Sequence, residues 1–257
     1  MAPHSLTWGV LLGLVACAAT PTPYAVVPMV SPTPQAQPRP EATSPPIRYG
    51  LLPNAADYAP LTALGSEGVA VSIVPDLAPT TLDDYDAISG YGVYADWSLA
   101  PITPVIQLWI NPTLAPLDDP AMQALLTDAF DAMQMLNPLG IPGGQALHQP
   151  NRTADALKTA LANVGYPDGI TLYGARTAFP GAENADSLLK AAGIEIVWVT
   201  VDSTWQPHLR LVQAIPNATT LPAPYRPLDL YTLPISYRVR EGLQTAFTAD
   251  GWLIVSR

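Results

Sequence analysis

Thirty prolines in 257 residues constrain this chain more than any other feature. Proline fixes its own φ and has no amide proton, so it is excluded from helix interiors and central strands, and where prolines crowd no regular element forms. They crowd first in residues 18–46, ATPTPYAVVPMVSPTPQAQPRPEATSPP, where no hydrophobic period survives. Such a stretch favours extended polyproline geometry and acts as a spacer, reaching some tens of ångströms at about 3 Å per residue. The folded part is therefore expected to begin at residue 47.

Hydrophobic residues make up 49% of the chain. That is enough for the positions beyond the spacer to close a core, as one two-lobed domain or as two small ones. Eleven Lys and Arg against 21 Asp and Glu leave a net charge of −10. A nucleic-acid partner needs the opposite sign, and the same surface disfavours anionic lipid headgroups. With Cys17 the single cysteine, neither a disulfide nor a cysteine-based zinc site can form, so stability must come from packing.

Residues 6–19 are an apolar run broken by Gly9 and Gly13. It falls short of the roughly 20 residues that a membrane-spanning helix needs. It has the length of a secretory h-region, and its end, Leu14-Val15-Ala16-Cys17, resembles the bacterial lipoprotein cleavage signal. The resemblance implies that residues 1–16 are a signal peptide. Cys17 would then be the mature N-terminus, its sulfur carrying a diacylglyceryl group and its amine a further acyl chain such as palmitate. Two chains give stable anchoring to a membrane face, with residues 17–46 as the lipidated linker. The plain alternative is an inert cysteine inside a cleaved leader.

From residue 47 the pattern becomes regular. Residues 47–52 and 69–74 read as strands closed by Pro53 and Pro75, with a weak helix over 58–65 between them and a third strand at 86–89. This alternation predicts a mostly parallel sheet. Residues 102–110 read as another strand, with Pro104 near its start. A helix follows, with Asp118 or Asp119 as N-cap, Pro120 at its first position and one continuous apolar stripe from Met122 to Leu136. A second helix over 153–164 stops at Gly165. Residues 166–169 (YPDG) make a turn before a strand at 170–173. A third helix over 182–192 ends at Gly193, and 194–201 reads as a buried strand. Residues 207–227, rich in proline, read as loop. Periodicity returns at 230–239 and in a final strand, 251–255.

Three stretches in this order, residues 109–133 (WINPTLAPLDDPAMQALLTDAFDAM), 155–173 (DALKTALANVGYPDGITLY) and 187–202 (SLLKAAGIEIVWVTVD), resemble the extracellular solute-binding proteins of family 5. These are the oligopeptide- and dipeptide-binding lipoproteins of ABC importers. The chain is a shortened form, and Met122 and Ala132 stand where family members usually carry arginine. The resemblance implies an α/β, two-lobed type II periplasmic-binding-protein-like fold, reduced in size. Lobe 1 would span about 47–100 plus 217–257, and lobe 2 about 101–216.

The sequence has little to work with for catalysis. His148 and His208 read as loop surface, and no HExxH, G-x-S-x-G or phosphate-loop pattern occurs. Asp83, Asp84 and Asp86 lack the glycine and distal glutamate of a calcium loop and read as helix caps and solvated surface. No catalytic residue, metal ligand or cofactor is expected. In open α/β sheets ligands sit beyond the carboxyl ends of parallel strands. That rule selects Asn54 and Tyr58 after the first strand, then Tyr91, Tyr94 and Trp97 after the third. It also selects Arg176 after 170–173 and Trp205 after 194–201. Each ring has packing against its own lobe as its alternative, and Arg176 an ordinary surface role.

The expected function is that of a membrane-anchored extracytoplasmic solute-binding protein of an ABC-type importer, not an enzyme. It would hold a small solute such as a peptide between two lobes, work as a monomer with an ABC permease, and bind no nucleic acid. The alternative is a degenerate relative outside transport, a surface-interaction or sensory lipoprotein. Cys17→Ser should abolish labelling by fatty acid and move the protein from the membrane to the soluble extracytoplasmic fraction; unchanged labelling would exclude the anchor.

Overall fold

Strands form where runs of apolar and β-branched residues are bounded by proline or glycine. The computed structural model describes residues 44–200 and 206–257; the leader, Cys17, the spacer up to residue 43 and Trp205 lie outside the described residues. In chain order the elements begin with β1 (Ile47–Leu51), the one-turn helix α1 (Leu61–Leu64), β2 (Val69–Ile73), α2 (Pro79–Leu82), β3 (Ala87–Tyr91), β4 (Ser98–Leu99) and β5 (Val105–Ile110). They continue with α3 (Pro120–Ala129), α4 (Ala132–Leu136), β6 (Gln145–Ala146), α5 (Ala154–Asn163), β7 (Ile170–Arg176), α6 (Asn184–Ala191) and β8 (Ile194–Trp198). The last five are β9 (Leu209–Ala214), β10 (Arg226–Thr232), β11 (Ile235–Val239), β12 (Gln244–Phe247) and β13 (Leu253–Ser256).

Two mixed sheets carry the fold. The first runs β2-β1-β3-β11-β4, with β1 parallel to β2 and β3, and β11 antiparallel to β3 and β4. The second runs β6-β10-β5-β9-β7-β8. In it β7 is parallel to β8 and β9, and the remaining pairs are antiparallel. The expected parallel character therefore holds within β1–β3 and β7–β9 and fails for the rest of the second sheet. There β9 and β10 flank β5 and both run against it.

The stretch 207–227 is not loop throughout. Its Leu-Arg-Leu-Val-Gln-Ala alternates, burying Leu209 and Leu211, and pairs on both sides as β9. Pro207 and Pro216 fall outside that strand. Pro227 is tolerated inside β10 because β6 pairs only with Tyr231 and Thr232, leaving the proline's outer side without a ladder. The strand expected at 194–201 is shorter, and as the sheet edge it exposes Glu195 and Val197.

The long helix expected to Leu136 is two. Asp119 caps α3 by accepting from the Ala121 amide at 2.8 Å. The helix stops at Ala129, Phe130 is extended (φ −91°, ψ 98°), and Asp131 starts α4 by accepting from the Gln134 amide at 3.0 Å. An aspartate inside an apolar stripe offers the backbone a cap in place of a helical turn. The break turns Met133 out to solvent, while Phe130, Met135 and Leu136 stay buried.

The chain returns to the first sheet between Thr232 and Ile235 instead of near 217, because β10 stays in the second sheet. Outward and return passages lie side by side. The Leu233 amide donates to the Pro104 carbonyl (3.0 Å), and the Ala100 amide donates to the Ile235 carbonyl (2.8 Å). Ionic contacts hold the returned strand. Asp86 accepts from the Arg48 amide (2.9 Å) and from Arg240 (2.6 Å), and Asp83 pairs with Arg238 (2.9 Å). Asp83 and Asp86 thus clamp β11 rather than simply facing solvent. The terminal hairpin β12–β13 packs on the same sheet: Tyr49 donates to the Leu253 carbonyl (3.0 Å), and Trp252 lies edge-on to Tyr91 at 5.1 Å. One continuous core runs from Tyr49, Leu51 and Tyr91 through Ile106 and Leu108 to Leu209 and Tyr231.

The turn before β7 needs glycine for a steric reason. Gly169 has φ +85°, and a Cβ there would stand 2.5 Å from the Gly193 carbonyl oxygen; Gly165 has φ +100° and open space around it. Backbone strain of about 1–3 kcal/mol applies to an alanine at either position. Gly169→Ala should lower the urea midpoint clearly more than Gly165→Ala, and equal losses would remove the close approach from the account.

Candidate functional site

The ring-bearing residues after β1 and β3 come together, but they hold one another. Asn54 donates through Nδ2 to the Tyr91 carbonyl (2.8 Å) and to the Tyr94 hydroxyl (3.4 Å), and that hydroxyl donates to the Tyr91 carbonyl (2.9 Å). Tyr94 and Trp97 sit 5.1 Å apart, packed over Leu52, Val74 and Ile88. Tyr91 is fully buried and donates to Gln213 Oε1 (3.2 Å), a bond from the first sheet to the second. Tyr58 is half-buried on the other side of Tyr91, ring centres 6.5 Å apart. The Asn54 Oδ1 atom is buried with no protein donor.

Electrostatics agree with this closed packing. Burial pushes the Tyr91 hydroxyl well above its ordinary value, as it does for Tyr49 and for Tyr231, which donates to the Pro180 carbonyl at 2.9 Å. Tyr58 is raised by desolvation first and then by the negative charges of Glu183 and Asp57. Tyr49, Tyr91 and Tyr231 remain neutral donors.

Arg176, at the end of β7, lies elsewhere. It pairs with Asp186 (3.0 Å), donates to the Ala182 carbonyl (3.2 Å) and lies over the Trp198 ring at 4.9 Å; Trp198 Nε1 donates to the other Asp186 oxygen. It borders a cavity of about 300 Å³ whose walls include Ala175, Thr177, Val199, Arg210 and Val212. The cavity sits at the carboxyl ends of β7 and β8. It connects to Tyr91, because the Gln213 amide donates to Thr177 Oγ1 (3.2 Å) while the Gln213 side chain accepts from Tyr91. Asn54, Tyr58, Tyr91, Tyr94 and Trp97 do not line this cavity.

Reading the sequence missed Arg210. It lies on β9, within the stretch taken for loop, and the alternation of Leu-Arg-Leu-Val is the signal that finds it. His208 was expected at the surface, yet both ring nitrogens are engaged: Nδ1 accepts from the Tyr173 amide (3.1 Å), so Nε2 carries the proton and donates to the Ala115 carbonyl (3.0 Å). His148 Nε2 meets the Thr127 carbonyl (3.0 Å). Asp128 is buried and satisfied by the Asn151 amide and by Arg152. Among the described residues no three of His, Cys, Asp and Glu converge as a metal site, and no helix is long and apolar enough to cross a membrane.

No protein-family model matches the sequence, and no curated protein matches it. Solved structures give partial likenesses. One is a periplasmic oligopeptide-binding protein from Borrelia burgdorferi, at 16% identity and TM-score 0.36, covering 52% of this chain and 34% of that one. Another is AgaA from A. tumefacien R10 in complex with agropinic acid, at 14% identity and TM-score 0.45, covering 68% and 57%. A third is DppA from Helicobacter pylori in complex with peptide STSA, at 12% identity and TM-score 0.41, covering 57% and 36%. This chain thus spans between about a third and somewhat over half of the length of these proteins.

Three of the buried tyrosines, Tyr49, Tyr91 and Tyr231, generate a pH prediction. Their ionisation is raised in the folded protein, whereas unfolded tyrosine ionises near 10. Above that pH the unfolded chain binds fewer protons, so stability falls, by up to about 1.4 kcal/mol per pH unit for each tyrosine. Chemical denaturation between pH 8 and 11 should show a flat region up to about pH 9.5 and a steep decline beyond it. Tyr231→Phe should make that decline shallower.

Proposed function

We propose that this chain is an extracytoplasmic solute-binding protein of an ABC-type importer, tethered by lipid on Cys17 and the proline-rich spacer. The observation that carries this reading is the return topology. The chain leaves the first sheet, builds the second, and comes back to insert β11 antiparallel between β3 and β4. Two halves joined by adjacent passages can move against each other about those passages. Recognition begins at the cavity beside Arg176, at the carboxyl ends of β7 and β8, where open α/β sheets receive ligands. Asn54, Tyr58, Tyr91, Tyr94, Trp97 and Trp205 supply further contacts when the halves part and re-close on a solute such as a peptide. The acyl anchor keeps the loaded protein near its permease.

A second reading, a surface-interaction or sensory lipoprotein outside transport, is favoured by one observation. The rings between the sheets are packed into a continuous core and joined by the Tyr91–Gln213 bond. Ligand response separates the two. A cognate solute at a hundredfold excess over its Kd adds about 2.7 kcal/mol of stability. Thermal unfolding with peptide, sugar and metal panels should show such a rise for one class. No rise with any panel would favour the second reading.

A further inference from the structure

Among the described residues Arg210 is the least exposed arginine, and it has no described carboxylate within ion-pair distance. The more exposed Arg48, Arg152, Arg176, Arg238 and Arg240 each have one. This inverts the usual order, because the cation that loses most hydration has the most to gain from a counter-charge. Its Nε is buried and makes no hydrogen bond. Its guanidinium rests on the Tyr225 ring at 5.1 Å, a partial compensation, and the Tyr225 hydroxyl is committed to the Pro207 carbonyl (2.9 Å).

Arg210 lines the cavity of about 300 Å³ described above. Its chemistry is two-sided. Ala175, Val199 and Val212 give apolar wall, and Thr177, whose oxygen already accepts from the Gln213 amide, keeps its hydroxyl proton to donate. Asp186, which pairs with the lining residue Arg176, is neutralised by it and by the Trp198 indole, so it does not set a free negative charge against an entering anion.

We propose that this cavity binds a small organic carboxylate with a short apolar body, its carboxylate on Arg210 and its body against Ala175, Val199 and Val212. A guanidinium is matched to a planar carboxylate, and with Arg176 committed to Asp186 the one uncommitted guanidinium of this part-apolar lining is a poor host for a hydrated phosphate dianion. The placement rests on the solute-binding reading above; the class of ligand does not.

The test titrates full-length protein with hexanoate and benzoate, with their neutral isosteres hexanamide and benzamide, and with inorganic phosphate, followed by calorimetry and amide NMR. Arg210→Gln removes the charge, Arg210→Lys keeps it without the fork, Val212→Trp fills the cavity at constant charge, and Arg226→Gln removes an exposed arginine that has no ion pair. Both acids should bind saturably, and the amides and phosphate should be weaker by about tenfold or more. Arg210→Gln should lose about tenfold or more, Arg210→Lys should retain part, Val212→Trp should abolish binding, and Arg226→Gln should leave it unchanged. Affinity should fall as ionic strength rises. If Arg210→Gln does not fold, Val212→Trp against Arg226→Gln and acid against amide decide. Amides binding as tightly as acids, phosphate alone binding, Arg210→Gln or Val212→Trp matching the native protein, or no saturable binding of either acid would overturn the proposal. Amide binding that Val212→Trp blocks and Arg210→Gln ignores would keep the solute reading and discard only the carboxylate.

Discussion

The fold depends on β11 reaching its place. β3 is buried along its whole length, and a buried strand cannot leave its peptide groups unpaired without a cost of several kcal/mol. β1 serves one edge of β3 with three register pairs, and β11 serves the other with five, from Ile235↔Tyr91 to Val239↔Ala87. The first sheet is therefore incomplete until the chain has passed through the second sheet and returned. The two passages bond to each other through Leu233 and Pro104, and Asp83 and Asp86 then capture Arg238 and Arg240. Exposed ion pairs add little stability individually, but here they fix which strand fills the gap. The second sheet is one contiguous insertion between β4 and β11, and packing rather than strand pairing ties it to the first. The shared core from Tyr49 to Tyr231 is the packing counterpart of that dependence.

Most of the elements were legible from local chemistry. Pro53, Pro75, Gly165 and Gly193 end elements where a reading of φ and amide protons puts their ends, Asp119 caps the helix assigned to it, and Thr153, read as the first residue of its helix, is the N-cap. What was not legible depended on partners distant in sequence. Prolines at 207 and 216 conceal β9 because a proline-bounded hexamer acquires strand identity only from β5 and β7 on its two sides. Asp131 breaks an apolar stripe that periodicity reads as continuous, since hydrophobic spacing is blind to a cap within the stripe. The same blindness hid the candidate site. Arg176 follows from a rule about strand ends, but Arg210 faces the cavity only once β9 is known to be a strand. The strand-end rule selects Asn54, Tyr91, Tyr94 and Trp97, but their mutual hydrogen bonds and ring contacts needed coordinates.

The difference between the ring cluster and the Arg210 cavity has an energetic consequence for any solute. Parting the two sheets would open the shared core in which Tyr91, Tyr231 and Trp252 are fully buried. Aromatic side chains bury about 150–250 Å² each, and at about 25 cal/mol per Å² the three together represent roughly 10 kcal/mol or more. It would also break the Tyr91–Gln213 bond, leaving buried polar groups without partners. A ligand shifts a conformational equilibrium only by the difference in its affinity for the two states, and small ligands gain about 1.5 kcal/mol per heavy atom at the very best. Parting the sheets therefore takes a solute with many contacts, such as a peptide, and a solute of few atoms gains too little to do it. The cavity at the ends of β7 and β8 carries no such cost, since it already exists with the sheets packed. Through Thr177 and Gln213 it reaches the hydroxyl of Tyr91 in two hydrogen bonds. A ligand seated there bears on the contact between the sheets without first having to break it, which makes this cavity the energetically accessible point of entry.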